Sequence, residues 1–253
     1  MDVTALDRPL FDVAPALRER IPWTDLGQWP TPVEPLDGVC RATGARELWI
    51  KRDDRSSPVY GGNKVRTLEV LFGEAIERGA SHVYSTGAFG SNHATAAVLH
   101  APRVGLESGV ILFPQPRSWC ALENLRVILS RRPRVRSLPH WSFLPGGMWL
   151  EERACRREGV RPYVMVPGGA TPRGAVGYVS AALELGHQVA QSKLPKPSTI
   201  AVGVGSTCTS AGLLVGVQLA ARLGIGWDRP PVIASIRVTP WPVTAHSRIV
   251  SLA

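Results

Sequence analysis

The chain has 253 residues, enough to bury a sizeable core and to form either one large domain or two lobes. Apolar residues make up 44% of it and charged residues 19%, a composition that excludes an intrinsically disordered chain and a coiled coil. The formal net charge is +9, and no apolar run is long enough to cross a bilayer, so we expect a soluble protein with no membrane partner.

The N-terminus and the cysteines favour a cytoplasmic protein. The first twenty residues mix acidic residues with short apolar pieces, which is unlike a secretory signal. The cysteines at positions 40, 120, 155 and 208 are widely separated, with no CxxC pair and no metal-ligand spacing. We therefore expect reduced thiols and no metal site.

Arginine supplies most of the excess positive charge. Glu123 is the only acid within a basic band that consists of Arg117, Arg126, Arg131, Arg132, Arg134 and Arg136. Such a band could attract a phosphate backbone, so a basic nucleic-acid-binding protein is one alternative function. No recognisable nucleic-acid module surrounds the band, and we expect no nucleic-acid partner.

The N-terminal part of the chain predicts an irregular segment and then a strand. Residues 1–45 are rich in proline, with an extended arm at 29–39. The sequence ELWIKRDD at 47–54 alternates enough to predict a strand, and serines and a proline at 56–58 predict a turn after it.

The next stretch, GGNKVRTLE at 61–69, holds the candidate catalytic residue, Lys64. Its two glycines permit positive φ and a close approach to a flat ligand, and the lysine stands where a helix begins. A lysine held in this way can form a Schiff base with an aldehyde. The helix would be anchored by an apolar stripe of Val65, Leu68, Leu71, Phe72, Ala75 and Ile76. A solvated lysine at a helix start is the alternative explanation.

The middle of the chain predicts strands and helices in alternation. A strand at 82–86 leads through the loop GAFGSNHA into a helix from Thr95 towards His100, and a second strand follows at 109–114. Residues 115–145 are harder to interpret because of their prolines, with a short helix at 121–130. A helix at 149–159 and a strand at 163–167 come next.

The C-terminal part continues the alternation. A glycine turn leads into a helix within 167–186, and apolar strands at 199–205 and 231–238 enclose a further helix. The β-branched run at 199–205 predicts a strand buried on both faces, and the run at 231–238 another buried strand. Strands that alternate with helices throughout predict an α/β protein with parallel sheets.

The loop GVGSTCTSAG at 203–212 predicts a phosphate cup. A strand end, a glycine, small hydroxyl residues and a helix start supply backbone amides and hydroxyl groups suited to a phosphate. The loop matches neither the nucleoside-triphosphate motif nor the dinucleotide motif. A tight strand-to-helix turn without a ligand is the alternative. A cofactor that carries both an aldehyde and a phosphate would use the lysine, the cup and the polar SNH loop together, and pyridoxal phosphate is such a cofactor.

Four ordered motifs, GGNKVRTLE, GSNHATAA, VPGGATPRGAVGYVSAALELG and GSTCTSAGLLVG, resemble the family of 1-aminocyclopropane-1-carboxylate deaminase and D-cysteine desulfhydrase. These are pyridoxal-phosphate enzymes. The resemblance implies the tryptophan synthase β-like fold, with two lobes that each contain a mainly parallel sheet flanked by helices. It implies a large cofactor-binding lobe at 1–57 and 161–253 and a small lobe at 58–160, and it implies a homodimer.

The resemblance also implies roles for individual residues. Lys64 would hold the cofactor and move the substrate proton, and Asn92 would hydrogen-bond the ring oxygen. Ser91 and His93, together with Asn92, would face the substrate, and Ser91 would assist catalysis. The phosphate would be surrounded by Gly205, Ser206, Thr207, Cys208 and Thr209. As alternatives, Ser91 and His93 could cap the helix that follows, and Cys208 could fill space.

The implied function is a lyase or deaminase that acts on a small amino acid and releases ammonia and a 2-oxo acid. The sequence departs from the family at Gly90, where glutamine is common in the deaminases, which weakens the case for a cyclopropane substrate. Family members also continue beyond TPWPVT, and that part carries the partner of the pyridine nitrogen. A truncated, weakly active or inactive cofactor-binding homologue is therefore a further alternative.

Overall fold

The computed structural model of the protein describes residues 8–241 and 243–253. Residues 1–7 and Pro242 lie outside the described residues. Residues 1–7 belong to the predicted large-lobe segment at 1–57 and to the proline-rich segment at 1–45. The α-helices are α1 (Pro9–Val13), α2 (Asp37–Thr43), α3 (Asn63–Glu77), α4 (Asn92–His100), α5 (Trp119–Ser130), α6 (Leu144–Arg157), α7 (Pro172–Ala190), α8 (Cys208–Arg222) and α9 (His246–Leu252). The strands are β1 (Val33–Pro35), β2 (Trp49–Lys51), β3 (His82–Ala88), β4 (Glu107–Phe113), β5 (Arg134–Ser137), β6 (Pro162–Val164), β7 (Thr199–Val204) and β8 (Val232–Arg237).

The strands of the described residues form one larger sheet and two pairs. Strands β5, β4, β3 and β6 lie side by side in that order, all parallel. Strands β7 and β8 pair in parallel, and β1 pairs with β2 antiparallel. The predicted α/β architecture with mainly parallel sheets is confirmed. None of the helices in these residues combines the length and the apolar character needed to cross a bilayer.

The proline-rich N-terminal segment is more ordered than the sequence predicted. It contains α1, β1 and α2, and only the first part of the arm at 29–39 is extended. The predicted strand at 47–54 is reduced to β2, because a short 3₁₀ turn begins at Asp53. Pairing of β1 with β2 across the chain fixes the arm, and local composition gives no signal of that partner.

Several predicted boundaries in the middle of the chain were wrong. Helix α4 begins at Asn92 rather than Thr95, because Ser91 caps it: the Ser91 Oγ accepts from the Ala94 amide at 3.2 Å. Helix α6 begins at Leu144, with Pro145 in its first turn, where a missing N–H costs nothing. Strand β5 was missed, since its Arg-Val-Arg-Ser sequence lacks an apolar run.

Strands β7 and β8 are not buried on both faces, which contradicts the prediction. Along β7, exposed and partly buried residues alternate before Val204, and β8 is mostly exposed. Ile200, Val202 and Ile233 pack against the core formed with α7 and α8, while Val232 and Ile236 remain 65% and 58% exposed. The two strands pair only with each other in the described residues, and a β-branched run cannot reveal whether a second layer covers it.

Helix α3 is anchored by its apolar stripe and by one buried carboxylate. The predicted apolar stripe is buried except at Ile76, whose side chain is 44% exposed. The Glu69 carboxylate accepts hydrogen bonds from the indole N–H groups of Trp23 and Trp29, at 2.8 and 3.0 Å. It also accepts from two backbone amides, those of Leu26 and Gly27, each at 3.0 Å. Glu69 therefore holds the N-terminal segment at residues 23–29 against α3.

A buried charge network fixes the first turns of α3. The Arg66 guanidinium donates to Asp53 at 2.8 Å and to Glu184 at 3.0 Å, and it lies 3.9 Å from the ring centre of Trp29. The Tyr178 hydroxyl donates to Asp53 at 2.6 Å. Burial alone would raise the pKa of Asp53, but the cationic Arg66 and the donor groups outweigh it and lower that pKa to about 2. The network joins α3 to α7 and to the turn after β2.

We expect Glu69→Gln to lower the free energy of unfolding by about 2–3 kcal/mol, because the amide keeps one acceptor oxygen and turns an NH₂ group towards donors. Urea denaturation of the variant and the wild type measures the difference. Glu77→Gln, at an exposed position of the same helix, is the matched control. Equal unfolding free energies for Glu69→Gln and the wild type would contradict the assigned role of the carboxylate.

Candidate active site

The turn before Lys64 brings the chain tightly past its own backbone. Gly62 has φ 126°, a region that favours glycine, and a Cβ at Gly61 would lie 1.8 Å from the Asp54 carbonyl oxygen. The Gly62 amide donates to the Asp53 carbonyl at 2.7 Å. The glycine pair therefore serves the fold directly, because no residue with a side chain fits at Gly61 without moving the Asp53–Arg55 turn.

The Lys64 amine lies in a desolvated position. Burial lowers the pKa of Lys64, and the nearby Cys208 acts in the opposite direction. Among the described residues no carboxylate forms a hydrogen bond or an ion pair with this amine. Lys51 differs, because its ammonium pairs with Glu184 and donates to the Thr31 carbonyl at 2.7 Å. Burial lowers the pKa of both lysines, and of the two Lys64 is the one without an acidic partner to offset that effect.

The predicted phosphate cup corresponds to the turn between β7 and α8. Thr207 adopts φ 70° there, a left-handed conformation that is costly for a β-branched residue. Within the described residues no side chain caps α8, so the amides of its first turn lack an intrahelical acceptor. The Asn63 amide donates to the Thr209 hydroxyl at 3.1 Å, which connects the cup to the residue beside Lys64.

A glycine turn at 167–169 forms a further wall of the site. The Ser206 hydroxyl and the Cys208 thiol donate to the carbonyls of Gly168 and Gly169, each at 3.4 Å. A Cβ at Gly168 would lie 2.5 Å from the Ser206 oxygen. Close packing of this turn against the cup therefore requires glycine.

The SNH loop follows β3 and faces the lysine. His93 is only 1% exposed, and neither ring nitrogen has a hydrogen-bond partner among the residues that the structure describes. Burial, together with the nearby Lys64, lowers the pKa of His93 to about 3, so the ring is neutral at physiological pH. Asn92 is exposed and Ser91 partly exposed, so both remain accessible from the open side of the loop.

His93 and Cys208 are the predicted site residues that lie near the Lys64 amine in the described part of the chain. His93 and Cys208 both lie close enough to influence its charge, and Ser206 and Thr209 are tied to its surroundings through Gly168 and Asn63. Gly205 and Thr207 lie in the same turn between β7 and α8. The Ser91 hydroxyl caps α4, which is the helix-capping role considered for this residue in the sequence analysis.

Two residues of the site were missed from the sequence. The Tyr60 hydroxyl contacts Asn92 Oδ1 at 3.1 Å, and the Asn124 amide donates to the same oxygen at 2.7 Å. Tyr60 directly precedes the glycine pair and could have been found there. Asn124 lies on α5, in a part of the chain whose prolines obscured the pattern.

The arrangement fits a flat aldehyde that carries a phosphate. A desolvated amine without an acidic partner suits the aldehyde, and the uncapped start of α8 suits the phosphate. The buried His93 ring leaves two polar atoms without partners. A buried polar group of this kind has an explanation when a ligand completes its hydrogen bonds.

Comparison with known proteins gives the same family as the motifs. Residues 24–248 match the family described as pyridoxal-phosphate dependent enzymes. A Pyrococcus horikoshii protein, provisionally named 1-aminocyclopropane-1-carboxylate deaminase, is 38% identical over 209 residues, which cover 81% of this chain and 61% of that protein. D-cysteine desulfhydrase of Salmonella paratyphi C is 37% identical over 205 residues, covering 79% and 61%. Nocardicin C-9′ epimerase of Nocardia uniformis is 34% identical over 194 residues, covering 76% and 58%.

Solved structures agree with this result. The crystal structure of an ACC deaminase homologue, 33% identical, superposes with a TM-score of 0.77 and covers 94% of this chain and 69% of its own. The predicted tryptophan synthase β-like fold class is confirmed. The chain spans about three fifths of the length of the curated relatives named above, at 61%, 61% and 58%.

We expect the Lys64 amine to titrate below the ordinary lysine value of 10.5, because burial disfavours its charged form. Reductive ¹³C-methylation followed by NMR measures the titration of each lysine. Lys64→Arg assigns the Lys64 resonance, and the exposed Lys193 supplies a reference resonance in the same spectrum. A Lys64 resonance that titrates at or above 10.5 would contradict the desolvated position of the amine.

Proposed function

Because this chain belongs to the family of pyridoxal-phosphate dependent enzymes, we propose that it is a lyase or deaminase that acts on a small amino acid and releases ammonia and a 2-oxo acid. The observation that carries the proposal is the placement of the Lys64 amine, which lies buried close to Cys208 of the cup and close to His93 of the SNH loop. One small cofactor can therefore contact the lysine and the cup at once.

In this proposal the residues named from the sequence hold the cofactor. Lys64 Nζ is the attachment point for the aldehyde, and Asn92 binds the ring oxygen. The phosphate lies against the turn formed by Gly205, Ser206, Thr207, Cys208 and Thr209. The free amides at the start of α8 support this, since they combine hydrogen-bond donors with the positive end of the helix dipole.

Pyridoxal phosphate, when bound, supplies an electron sink for negative charge released at the substrate α carbon. Lys64 then serves as the base at that carbon, because burial lowers its pKa from the ordinary lysine value and so makes proton removal by the amine easier. His93 cannot act as a cationic acid at physiological pH, since its pKa is about 3. It binds substrate as a neutral donor or acceptor instead.

Ser91 and Asn92 complete the substrate side of the site. The Ser91 oxygen accepts from the Ala94 amide, which leaves the hydroxyl hydrogen free to donate to a substrate carboxylate or to take part in proton transfer. Asn92, at the exposed start of α4, lies beside it.

Position 90 favours D-cysteine over a cyclopropane amino acid. A Cβ at Gly90 would lie 2.4 Å from the Ala121 Cα and 2.9 Å from the Gln115 Nε2, so the glutamine common in the deaminases has no room there. D-cysteine also carries an α hydrogen that Lys64 can remove, whereas ring opening of the cyclopropane needs a further acid or nucleophile. Relatives of both kinds match the chain at similar identity, 38% and 37%.

The lobe boundaries at 58–160, the homodimer and the cytoplasmic location stay predictions. In the basic band, Arg134 forms an ion pair with Glu158, and Arg136 forms one with Glu151. These pairs reduce the positive charge available to a nucleic acid. We therefore retain the proposal of no nucleic-acid partner.

We expect the protein to acquire a visible absorption band on addition of pyridoxal phosphate, and borohydride reduction followed by peptide mapping to locate the cofactor on Lys64. Lys64→Ala should lose both the band and the label, because no amine remains at the aldehyde. Lys193→Ala, at an exposed position, should keep both and is the matched control. A label on Lys51, Lys193 or Lys196, or no band at all, would defeat the proposal.

We also expect the chain to convert D-cysteine to pyruvate, with sulfide and ammonia released in equal amounts. Lys64→Ala should lower this turnover about 10²–10⁴-fold through loss of the base. Pyruvate is measured with lactate dehydrogenase, and 1-aminocyclopropane-1-carboxylate is assayed in parallel for its own 2-oxo acid. Cofactor trapping on Lys64 without turnover of either substrate would favour the weakly active or inactive cofactor-binding homologue.

A further inference from the structure

The Asn124 side chain has an orientation that its neighbours fix. Its Nδ2 donates to the Gly90 carbonyl oxygen at 2.9 Å and to the Asn92 Oδ1 at 2.7 Å. A backbone carbonyl can only accept a hydrogen bond, so the Asn124 atom that faces Gly90 must be the amide nitrogen. Both of its hydrogens are then used, one on Gly90 and one on Asn92.

The orientation of Asn124 determines that of Asn92. Since the nitrogen of Asn124 donates to Asn92, the Asn92 atom that faces it must be the oxygen. The Tyr60 hydroxyl donates to that same oxygen at 3.1 Å. Burial raises the pKa of Tyr60, so the phenol keeps the proton that it donates. The alternative orientation of Asn92 would set its NH₂ group against the Asn124 NH₂ group, which can only donate. The Tyr60 hydroxyl can accept as well as donate and also lies 3.4 Å from the Asn124 Oδ1, so Asn124 is the group that fixes the orientation.

The Asn92 NH₂ group is consequently left facing away from α5. Within residues 8–241 and 243–253 it has no hydrogen-bond partner, and Asn92 is exposed at the first residue of α4. A side-chain amide in this state offers a donor, and an anionic oxygen is the acceptor that would use it best.

We propose that Asn124, supported by Tyr60, sets the polarity of the Asn92 amide so that its NH₂ group is presented as a donor to the anionic ring oxygen of the cofactor. The inference rests on the proposed function, and it adds two positioning residues that act through Asn92. It also assigns a reason for the asparagine on α5, which reaches the SNH loop from the neighbouring helix.

Asn124→Asp tests the inference, because it keeps the size of the side chain and replaces the donor by a carboxylate. Asn92 then turns its NH₂ group towards the new carboxylate and presents its oxygen to the cofactor. We expect the dissociation constant for pyridoxal phosphate, measured by titration of the apoprotein, to rise about tenfold or more. The pH midpoint of the visible absorption change should move as well. Glu123→Gln, exposed and adjacent on α5, should change neither and is the control.

A double-mutant cycle distinguishes an effect of Asn124 on the orientation of the Asn92 amide from a general effect of the substitution on the fold. In an Asn92→Ala background, Asn124→Asp should change cofactor affinity by less than about twofold, because no amide remains to be oriented. The same weakening in both backgrounds would overturn the inference, as would wild-type affinity in Asn124→Asp. Thermal melting of each apoprotein checks folding. Should Asn124→Asp fail to fold, Asn124→Leu and Tyr60→Phe are measured in the same cycle, and unchanged affinity in both would overturn it.

The outcomes distinguish this inference from the proposed function. Wild-type protein that binds the cofactor on Lys64, with an Asn124→Asp variant that binds equally well, contradicts the inference alone. Wild-type protein that never binds the cofactor contradicts both.

Discussion

The position of Lys64 depends on the buried charge network two residues away. Arg66 cannot lose its proton, so its burial requires carboxylates, and Asp53 and Glu184 supply them from two other elements. Removing one acid would leave a buried charge without its partner, at a cost of about 3–5 kcal/mol. Lys64 needs no such partner, because an amine can give up its proton when it is desolvated. Two basic side chains lie on the same turn of α3, and of these Lys64 is the one without an acidic partner among the described residues.

The site is assembled from turns that follow strands or precede helices. The SNH loop follows β3, the cup follows β7, and Lys64 lies in the first turn of α3. Such turns concentrate unpaired backbone amides and leave little room for side chains. Glycines at 61, 168 and 169 allow the turns to approach, since a Cβ at each would lie within 3 Å of a neighbouring atom. The strained Thr207 in the cup belongs to the same set, because its left-handed backbone turns the chain into α8.

Hydrogen-bond polarity gives the site a second level of organisation. His93 is held neutral and without partners, so it can adapt to a donor or to an acceptor. Asn92 has no such freedom, because the Asn124 NH₂ group donates to its oxygen at 2.7 Å, and the Tyr60 hydroxyl lies 3.1 Å from the same atom. The site thus combines one adaptable polar group with one of fixed direction, and both lie in the same loop. Gly90, directly before the SNH residues, packs against α5, where a Cβ would lie 2.4 Å from the Ala121 Cα.

Local sequence patterns were enough to predict the α/β class, the helix that carries Lys64 and the family, and they also predict the phosphate cup. Each of these depends on a local pattern: a helical stripe from Val65 onward, a glycine beside hydroxyl residues, and four motifs in a fixed order. Tertiary structure alone decided the features that depend on partners distant in the chain. Asn124 lies 32 residues from Asn92, and Glu184 lies 118 residues from Arg66. The open faces of β7 and β8 depend in the same way on which elements pack against them. The physical reason is that hydrogen-bond direction, ion pairing and burial belong to pairs of groups, and a one-dimensional pattern records only one member of each pair.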